Sequence, residues 1–428
     1  MNENKIPGLD LPQEWPGAHY YDHEEEEAVA RVARSHSPFR FYGPDLQGEV
    51  DQFESEFAEF IGVNHCLGVS SGTAALQVAL AAMGVGPGDE VLLPGYFWVS
   101  TVSAVVRSGA IPKLVDVDAS FSMDPEDLER KISPRSRVVI MVHMGGVIGH
   151  IGKVMDTCRK HGLLMLEDCA QAGGAHQFGK RAGSFGDMAI FSFQLNKNFT
   201  SGEGGAVVTA SRELYDKAFA IHDLGYCRKK DGRLEFNDPN YQLWGIGCRM
   251  NEFIAAVLRV QLRKLDAILT AMRDMKHRIT GLLASCEGFR TREIPDPMGE
   301  GGGFLKMIFD DKEVSHAFLE GLVKNGITVK EGGLNPVHMT GWGLHIYYNV
   351  TSLVHKTSIC GHHPVWEWKE NSWASDANYT KGSCPVLDSY VERTVLFCIP
   401  SKLSEHQKDM ILAAFENICD ELKLKKAL

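Results

Sequence analysis

The run Ser192-Phe193-Gln194-Leu195-Asn196-Lys197, followed by Gly202-Glu203-Gly204-Gly205, holds a single lysine between two apolar segments. Met188–Phe193 and Ala206–Val208 each read as a buried strand. An amine pinned between buried strands is partly desolvated. Its pKa falls, and it can form a Schiff base with a carbonyl. Taken alone, Lys197 reads more simply as a loop-tip surface charge, the usual place for lysine. Residues elsewhere in the chain weigh against that reading.

Leu163–Leu166 runs into Glu167-Asp168-Cys169-Ala170-Gln171. A carboxylate at the end of a buried strand is costly without a partner. A helix N-terminus, an arginine or a protonated pyridine nitrogen would each serve Asp168. Ser70-Ser71-Gly72-Thr73-Ala74-Ala75-Leu76 is a small-residue turn at a helix start. Its backbone N–H groups can reach a phosphate, with the helix dipole aiding. There is no Walker lysine, and no GxGxxG follows the first strand, so a P-loop or dinucleotide site is not supported. Trp98 closes the segment Pro94-Gly95-Tyr96-Phe97-Trp98 after the strand Val91–Leu93. A ring there can stack on a planar cofactor, while Tyr96 and Phe97 read as packed core. A phosphate cradle, an aromatic plate, an acid and a lysine thus fall at one edge of one predicted sheet. A phosphorylated, planar, pyridine-containing aldehyde needs all four, and that cofactor is pyridoxal phosphate.

The sheet follows from the alternation of patterns between Cys66 and about Thr209. Strands are expected at Leu67–Val69, Val91–Leu93, Lys113–Val117, Val138–Val142 and Leu163–Leu166. Helices are expected at Ala74–Met83, Ser100–Arg107, Asp124 to about Ile132, and Gly152–Lys160. Asp124 followed by Pro125 marks an N-cap with proline at the first helical position. This alternation argues for a mainly parallel sheet covered by helices on both faces. Ligands then bind beyond the carboxyl ends of the strands. Glu24–Arg34 reads as a helix, and Phe53, Phe57, Phe60 and Ile61 recur at helical spacing. A long helix starts at Asn251 and carries Leu258, Leu262, Leu265 and Ile268. Beyond about residue 280 the texture becomes a smaller α+β unit. It ends in a helix opened by the capping box of Ser404 and Gln407. Residues 1–20 read as an extended arm. The expected division is an arm and large domain over 1–270 and a small domain over 271–428.

The 428 residues are 44% hydrophobic and 23% charged, as in ordinary soluble globular proteins. The net charge of −11 argues against a nucleic-acid binder and against adhesion to anionic lipid. Ten cysteines without a CxxC pair fit free thiols in a reducing cytoplasm. The N-terminus has no apolar signal region, and no apolar run is long enough to span a membrane.

Several of these motifs carry a family likeness. Ser71-Gly-Thr-Ala-Ala-Leu76, Gly88-Asp-Glu-Val91 with Pro94, Glu167-Asp-Cys-Ala-Gln171, Ser192-Phe-x-x-x-Lys197, Gly202-Glu-Gly-Gly205 and Arg249-Met250 resemble the DegT/DnrJ/EryC1/StrS sugar aminotransferases. The likeness runs from about Gly43 to Leu265 and returns at Cys384–Pro400. It implies a fold-type-I pyridoxal-phosphate transferase, a homodimer. It implies that Lys197 carries the cofactor and Asp168 pairs with the pyridine nitrogen. Trp98 would stack on the ring, and Gln171 would lie beside the ring oxygen. Gly72, Thr73, Ala74 and Ser192 would hold the phosphate, and no metal is implied. The activity implied is amination of a keto-sugar or sugar aldehyde, with glutamate or glutamine as donor. Alternatives are a sugar dehydratase of the same family, which carries histidine at the lysine position, and a non-catalytic sensor on the fold. One departure stands out. Gly247 occupies the place of an asparagine that, in the family, reaches the neighbouring subunit's phosphate. Asn240 and Asn251 are the nearest substitutes in sequence. The aromatic residues between 340 and 380 suit either sugar stacking or interdomain core. The adjacent His362 and His363 are not expected to share a metal. The segment Arg292–Pro297 with Gly301–Leu305 resembles, over a short span, family members that aminate an octulosonate.

Overall fold

The computed structural model of the chain describes residues 9–12, 15–329 and 335–425. A seven-stranded sheet forms the centre. Its order is His65–Val69, Gly205–Thr209, Met188–Ser192, Leu164–Asp168, Ser136–Val142, Glu90–Pro94 and Ile111–Val115. Gly205–Thr209 runs antiparallel to both its neighbours, and the other pairings are parallel. The reversed strand follows from the short Gly-rich turn, which returns the chain beside Met188–Ser192 without a crossover helix.

Strands in such a sheet are buried on both faces, so their runs are apolar without alternation. Side chains still part by register. Val139, Met141 and Met165 join the core on one face, with Phe53, Phe57 and the Glu252–Leu283 helix. Val138, Ile140 and Leu166 join the other, with the helices Gly72–Ala82, Val99–Arg107 and Arg212–His222.

The helix ends follow sequence chemistry. The Ser71 hydroxyl accepts from the Ala74 amide, Asp124 accepts from Glu126 ahead of Pro125, and Asn251 accepts from Ile254. Ser404 and Gln407 form the expected capping box. The expected strand at Lys113–Val117 lies two residues earlier, at Ile111–Val115. Asp116 and Asp118 past its end bond backbone amides instead of extending the ladder. Part of the 1–20 arm lies outside the described residues. Leu9–Leu11 is a short strand paired in parallel with Ile327–Val329, and Ala18–Tyr20 is a helical turn.

Glu252–Leu283 packs against the helices His23–Arg34 and Glu49–Ile61, and further along against Glu405–Glu421. It therefore joins the large sheet to a second, four-stranded antiparallel sheet. That sheet has the order Phe289–Thr291, Phe304–Phe309, Thr394–Cys398, Val337–His338. Lys312–Lys324 and Glu405–Glu421 cover one side of it through Phe318 and Phe415. The other side turns Phe304 and Cys398 toward the carboxyl ends of the large sheet. A cleft lies between the two sheets.

Candidate active site

A cavity of about 570 Å³ opens where Val69, Val142, Asp168 and Ser192 end their strands. Gly72, Thr73, Trp98, Asp168, Gln171, Ser192 and Lys197 all line it. Residues from four chain segments, expected at one sheet edge, therefore do meet. Ala74 stands just behind, its amide already donated to the Ser71 hydroxyl at 3.1 Å.

The acid is built first. Asp168 ends the central strand and is buried. Thr101 donates its hydroxyl to Oδ2 at 2.8 Å, and the Ala170 amide donates to Oδ1 at 3.1 Å. Burial holds the Asp168 carboxyl above the usual carboxylate range. Those two hydrogen bonds and the charge of Lys197 pull the other way. The carboxylate thus has two neutral donors and room for a cationic one. Lys197 sits across the cavity on the turn after Ser192. Its residue surface is only half-buried, yet burial of the amine pulls its pKa below the ordinary value, against the opposing charge of Asp168. The shift is toward the neutral form that a nucleophilic amine needs.

The opposite end suits an anion. The first amides of the Gly72–Ala82 helix have no intrahelical acceptor and add the positive end of its dipole. Glycine at 72 is required by close approach, because a Cβ there would lie 2.7 Å from the Ser192 Cβ. Gly205 is similarly forced, by the Ser71 carbonyl at 2.5 Å from where a Cβ would stand. Trp98 is 43% exposed, a broad ring left open toward the cavity. Tyr96 and Phe97 are buried in the core, as expected.

Three further residues belong to the site. Thr101 lies one helical turn beyond Trp98, so its facing the same way was readable from spacing. His143 directly follows the Ser136–Val142 strand and lines the cavity. Its Nε2 lies 2.9 Å from Glu167 Oε2. The Glu167 oxygens also accept from the amides of Gly183, Phe185 and Gly186. Glu167 therefore orients His143. His345, from the segment after the small sheet's last short strand, packs its ring on Trp98 at 4.7 Å and on Trp342 at 4.6 Å. Burial, then the charges of Lys197 and Lys306, push its pKa down to about 4. No local sequence signal marks it.

Among the aromatic residues between 340 and 380, Trp342 lines the cavity. Tyr347 is buried on Asp388, and Trp366 donates to Tyr379, so those rings are core. Gly247 has φ +63°, with no atom within 3.8 Å of where a Cβ would stand. Asn251 is used as a helix cap, and Asn240 bonds Asp238.

The arrangement fits pyridoxal phosphate on its own terms. A buried carboxylate lacking a cation, an open indole face, unpaired helix-start amides and a desolvated amine surround one cavity. Residues 20–416 match the DegT/DnrJ/EryC1/StrS aminotransferase family. The chain is 38% identical over 291 residues to 3-amino-5-hydroxybenzoate synthase of Amycolatopsis mediterranei, covering 67% of this chain and 71% of that one. It is 38% identical over 271 residues to an L-glutamine:2-deoxy-scyllo-inosose aminotransferase of Streptoalloteichus tenebrarius. That match covers 62% of this chain and 63%, less than two thirds, of the relative. A crystal structure of 3-amino-5-hydroxybenzoic acid synthase superposes with TM-score 0.74 at 28% identity, covering 97% of this chain and all of the other. Family, fold and cavity agree, and the chain belongs to the DegT/DnrJ/EryC1/StrS aminotransferases, which work with pyridoxal phosphate.

Proposed function

We propose that this chain aminates a keto or aldehyde carbon of a sugar-like substrate, with glutamine or glutamate as amino donor. The observation that carries the reading is the pairing of Lys197 and Asp168 in one cavity, each displaced by burial toward its neutral form. The relative named for glutamine and 2-deoxy-scyllo-inosose supports glutamine as donor and a polyhydroxylated carbonyl compound as acceptor.

Bound in this cavity, pyridoxal phosphate supplies an aldehyde for the amine and a ring that withdraws electrons. The residues divide the remaining work. Lys197 Nζ holds the aldehyde end. Once displaced by the amino donor, the same nitrogen acts as general base on the donor's Cα proton and as general acid toward the product. Asp168, steadied by Thr101 and Ala170, keeps a proton on the pyridine nitrogen. Ser192, Gly72 and Thr73 would hold the phosphate, Trp98 would cover the ring, and Gln171 would serve the ring oxygen. A lysine at 197, where the family's dehydratases carry histidine, favours amination over dehydration.

We also infer a homodimer, because Phe236, Leu243, Trp244 and Ile246 present apolar surface in one segment, Trp244 at 97% exposure. The deciding experiment follows the visible spectrum of the purified holoenzyme. Glutamine or glutamate should convert the aldehyde form to the amine form, and scyllo-inosose or a keto-sugar should restore it. A spectrum unmoved by every amino donor refutes the reading.

A further inference from the structure

Behind the cavity, on the small sheet, stands a group that the proposed chemistry does not use. Lys306 shares a face of the Phe304–Phe309 strand with Phe304, and Phe304 pairs with Cys398 on the next strand. Both of those neighbours line the cavity. Lys306 is 1% exposed, and its Nζ has no hydrogen-bond acceptor among the described residues. It is surrounded by the faces of Tyr96, Phe121 and Phe304, at 5.0, 5.4 and 6.0 Å from the ring centroids. Beside it lies the Arg292 guanidinium, also buried. Arg292 donates to the carbonyls of Ser120 and Met144 and bonds no carboxylate among the described residues. Two acids bear on the cluster: Glu300, which is paired with Lys276, and Asp118, which accepts from Ser120. The cluster thus carries more positive than negative groups, in a place where an unpaired charge is costly.

The link to the cavity is Gly145. Its amide donates to Gln171 Oε1 at 2.8 Å, and Gln171 lines the cavity. A Cβ on Gly145 would lie 3.0 Å from Arg292 Nη1 and 3.2 Å from Lys306 Nζ. Glycine at 145 is therefore what lets the backbone approach both cations closely, one residue from Met144, which lines the cavity. Lys276 has its acid and needs nothing further. Lys306 does not, and it faces the same cavity wall as Phe304 and Trp342.

We infer that Lys306 and Arg292 form a carboxylate-binding subsite at the inner end of this cavity, occupied by an acid group of a reactant. Carboxylate is the matching chemistry. Both cations stand one layer behind the lining residues Phe304 and Met144, and a flat carboxylate is slimmer than the tetrahedral phosphate placed at the helix N-terminus across the cleft. Two reactants could bring the carboxylate. One is the α-carboxylate of the amino donor. The other is an acid group on the carbonyl acceptor, which would make the acceptor a sugar acid. The inference rests on the aminotransferase reading only for which reactant fills the subsite.

The test uses wild-type holoenzyme and Lys306→Met, a substitution of similar length that removes the charge. Calorimetry measures binding of glutarate and of its neutral diamide, glutaramide, without any turnover. Wild type should bind glutarate at least about 10-fold more tightly than glutaramide, the ratio expected for a buried charge-assisted contact. Lys306→Met should erase most of that difference while keeping the wild-type cofactor content and melting temperature. Equal affinity of wild type for glutarate and glutaramide overturns the subsite, and this result needs no variant to fold. Unchanged glutarate affinity in a folded Lys306→Met overturns it as well. The source is then read from the two half-reactions. A 10-fold rise in apparent Kd for glutamine in the variant assigns the carboxylate to the donor. An unchanged glutamine half-reaction, with weakened use of 5-ketogluconate and unaffected use of scyllo-inosose, assigns it to the acceptor. Lys306-dependent glutarate binding in a protein that no amino donor converts would sustain the subsite and remove the aminotransferase reading.

Discussion

Replacing Asp168 by Asn should make the cofactor-free protein more stable and the loaded enzyme nearly inactive. The two effects have one cause. Without the cofactor, the carboxylate has only Thr101 and Ala170 as donors, and burial raises its pKa in the folded state. A raised carboxyl pKa means that the folded state binds the proton more tightly than the unfolded one. Stability is therefore lost as pH climbs from the unfolded value near 3.8 through the higher folded value, and the loss persists at neutral pH. Asparagine does not titrate. Its carbonyl can keep the Ala170 amide, and the Thr101 hydroxyl can turn to accept from its NH₂. The variant should thus melt higher than wild type at pH 7, with the gap closing as pH falls into the carboxylate range. With the cofactor bound, the negative charge faces a protonated ring nitrogen. At hydrogen-bonding separation and an effective dielectric constant of about 20, that attraction is about 5 kcal/mol before desolvation is subtracted. Loss of comparable preorganised contacts costs about 3–4 kcal/mol, or roughly 10²–10³ in kcat. The assays are thermal melting of the cofactor-free proteins from pH 4 to 8 and single-turnover rates of the loaded ones. A variant that turns over at wild-type rate with an intact spectrum refutes the role of Asp168. A cofactor-free variant less stable than wild type at pH 7 refutes the account of its burial.

Borohydride reduction of the holoenzyme should fix the cofactor to Lys197, read by peptide mapping, and a label on any other lysine overturns the assignment. Thr101→Val removes the hydroxyl donated to Asp168 at 2.8 Å. A hydrogen bond to a charged group is worth about 1.5 kcal/mol at least, so single-turnover rates should fall roughly 10-fold with cofactor content preserved. Unaltered rates would remove Thr101 from the site. Gly247→Asn should retain cofactor on dialysis at least as long as wild type. Asparagine tolerates φ of +63°, the space is open, and the phosphate is served by its own subunit's helix start. Faster cofactor loss in the variant contradicts that view.

The central sheet was legible because parallel strands, buried on both faces, write their burial as unbroken apolar runs separated by capped helices. Lys197, Asp168, Trp98 and the Ser71–Ala74 turn were legible for a related reason: each breaks an apolar run at a strand's carboxyl end. His143 obeys the same rule, since it directly ends the apolar run Val138–Val142. His345 was not legible. It arrives from a segment of short helical turns far along the chain, and only the tertiary fold stacks it on Trp98. The reversal of Gly205–Thr209 is written in its connection, a Gly-rich turn with no crossover helix, and not in the apolar pentapeptide itself. Lys306 is in sequence the lone polar residue of the apolar run Phe304–Phe309. Its burial depends on the large unit closing over that face of the small sheet.

What separates a structural buried charge from one kept for a ligand is how fully the protein itself satisfies it. Glu167 and Asp168 are neighbours on one strand and point to opposite sides of it. Glu167 has three backbone amides and a histidine, enough to occupy both oxygens. Asp168 has one hydroxyl and one amide, both neutral. A protein that could hold Asp168 as tightly as Glu167 would gain stability and lose its grip on a cationic ring. The same comparison divides the buried lysines. Lys276 is closed by Glu300, while the Lys306 amine, set among three aromatic rings, has no hydrogen-bond acceptor among the described residues. Unsatisfied groups therefore stand at both ends of the reacting space, an acid toward the cofactor ring and an amine toward the inner wall. A ligand with a cationic ring nitrogen completes the first. A reactant with a carboxylate beyond its reacting carbon completes the second.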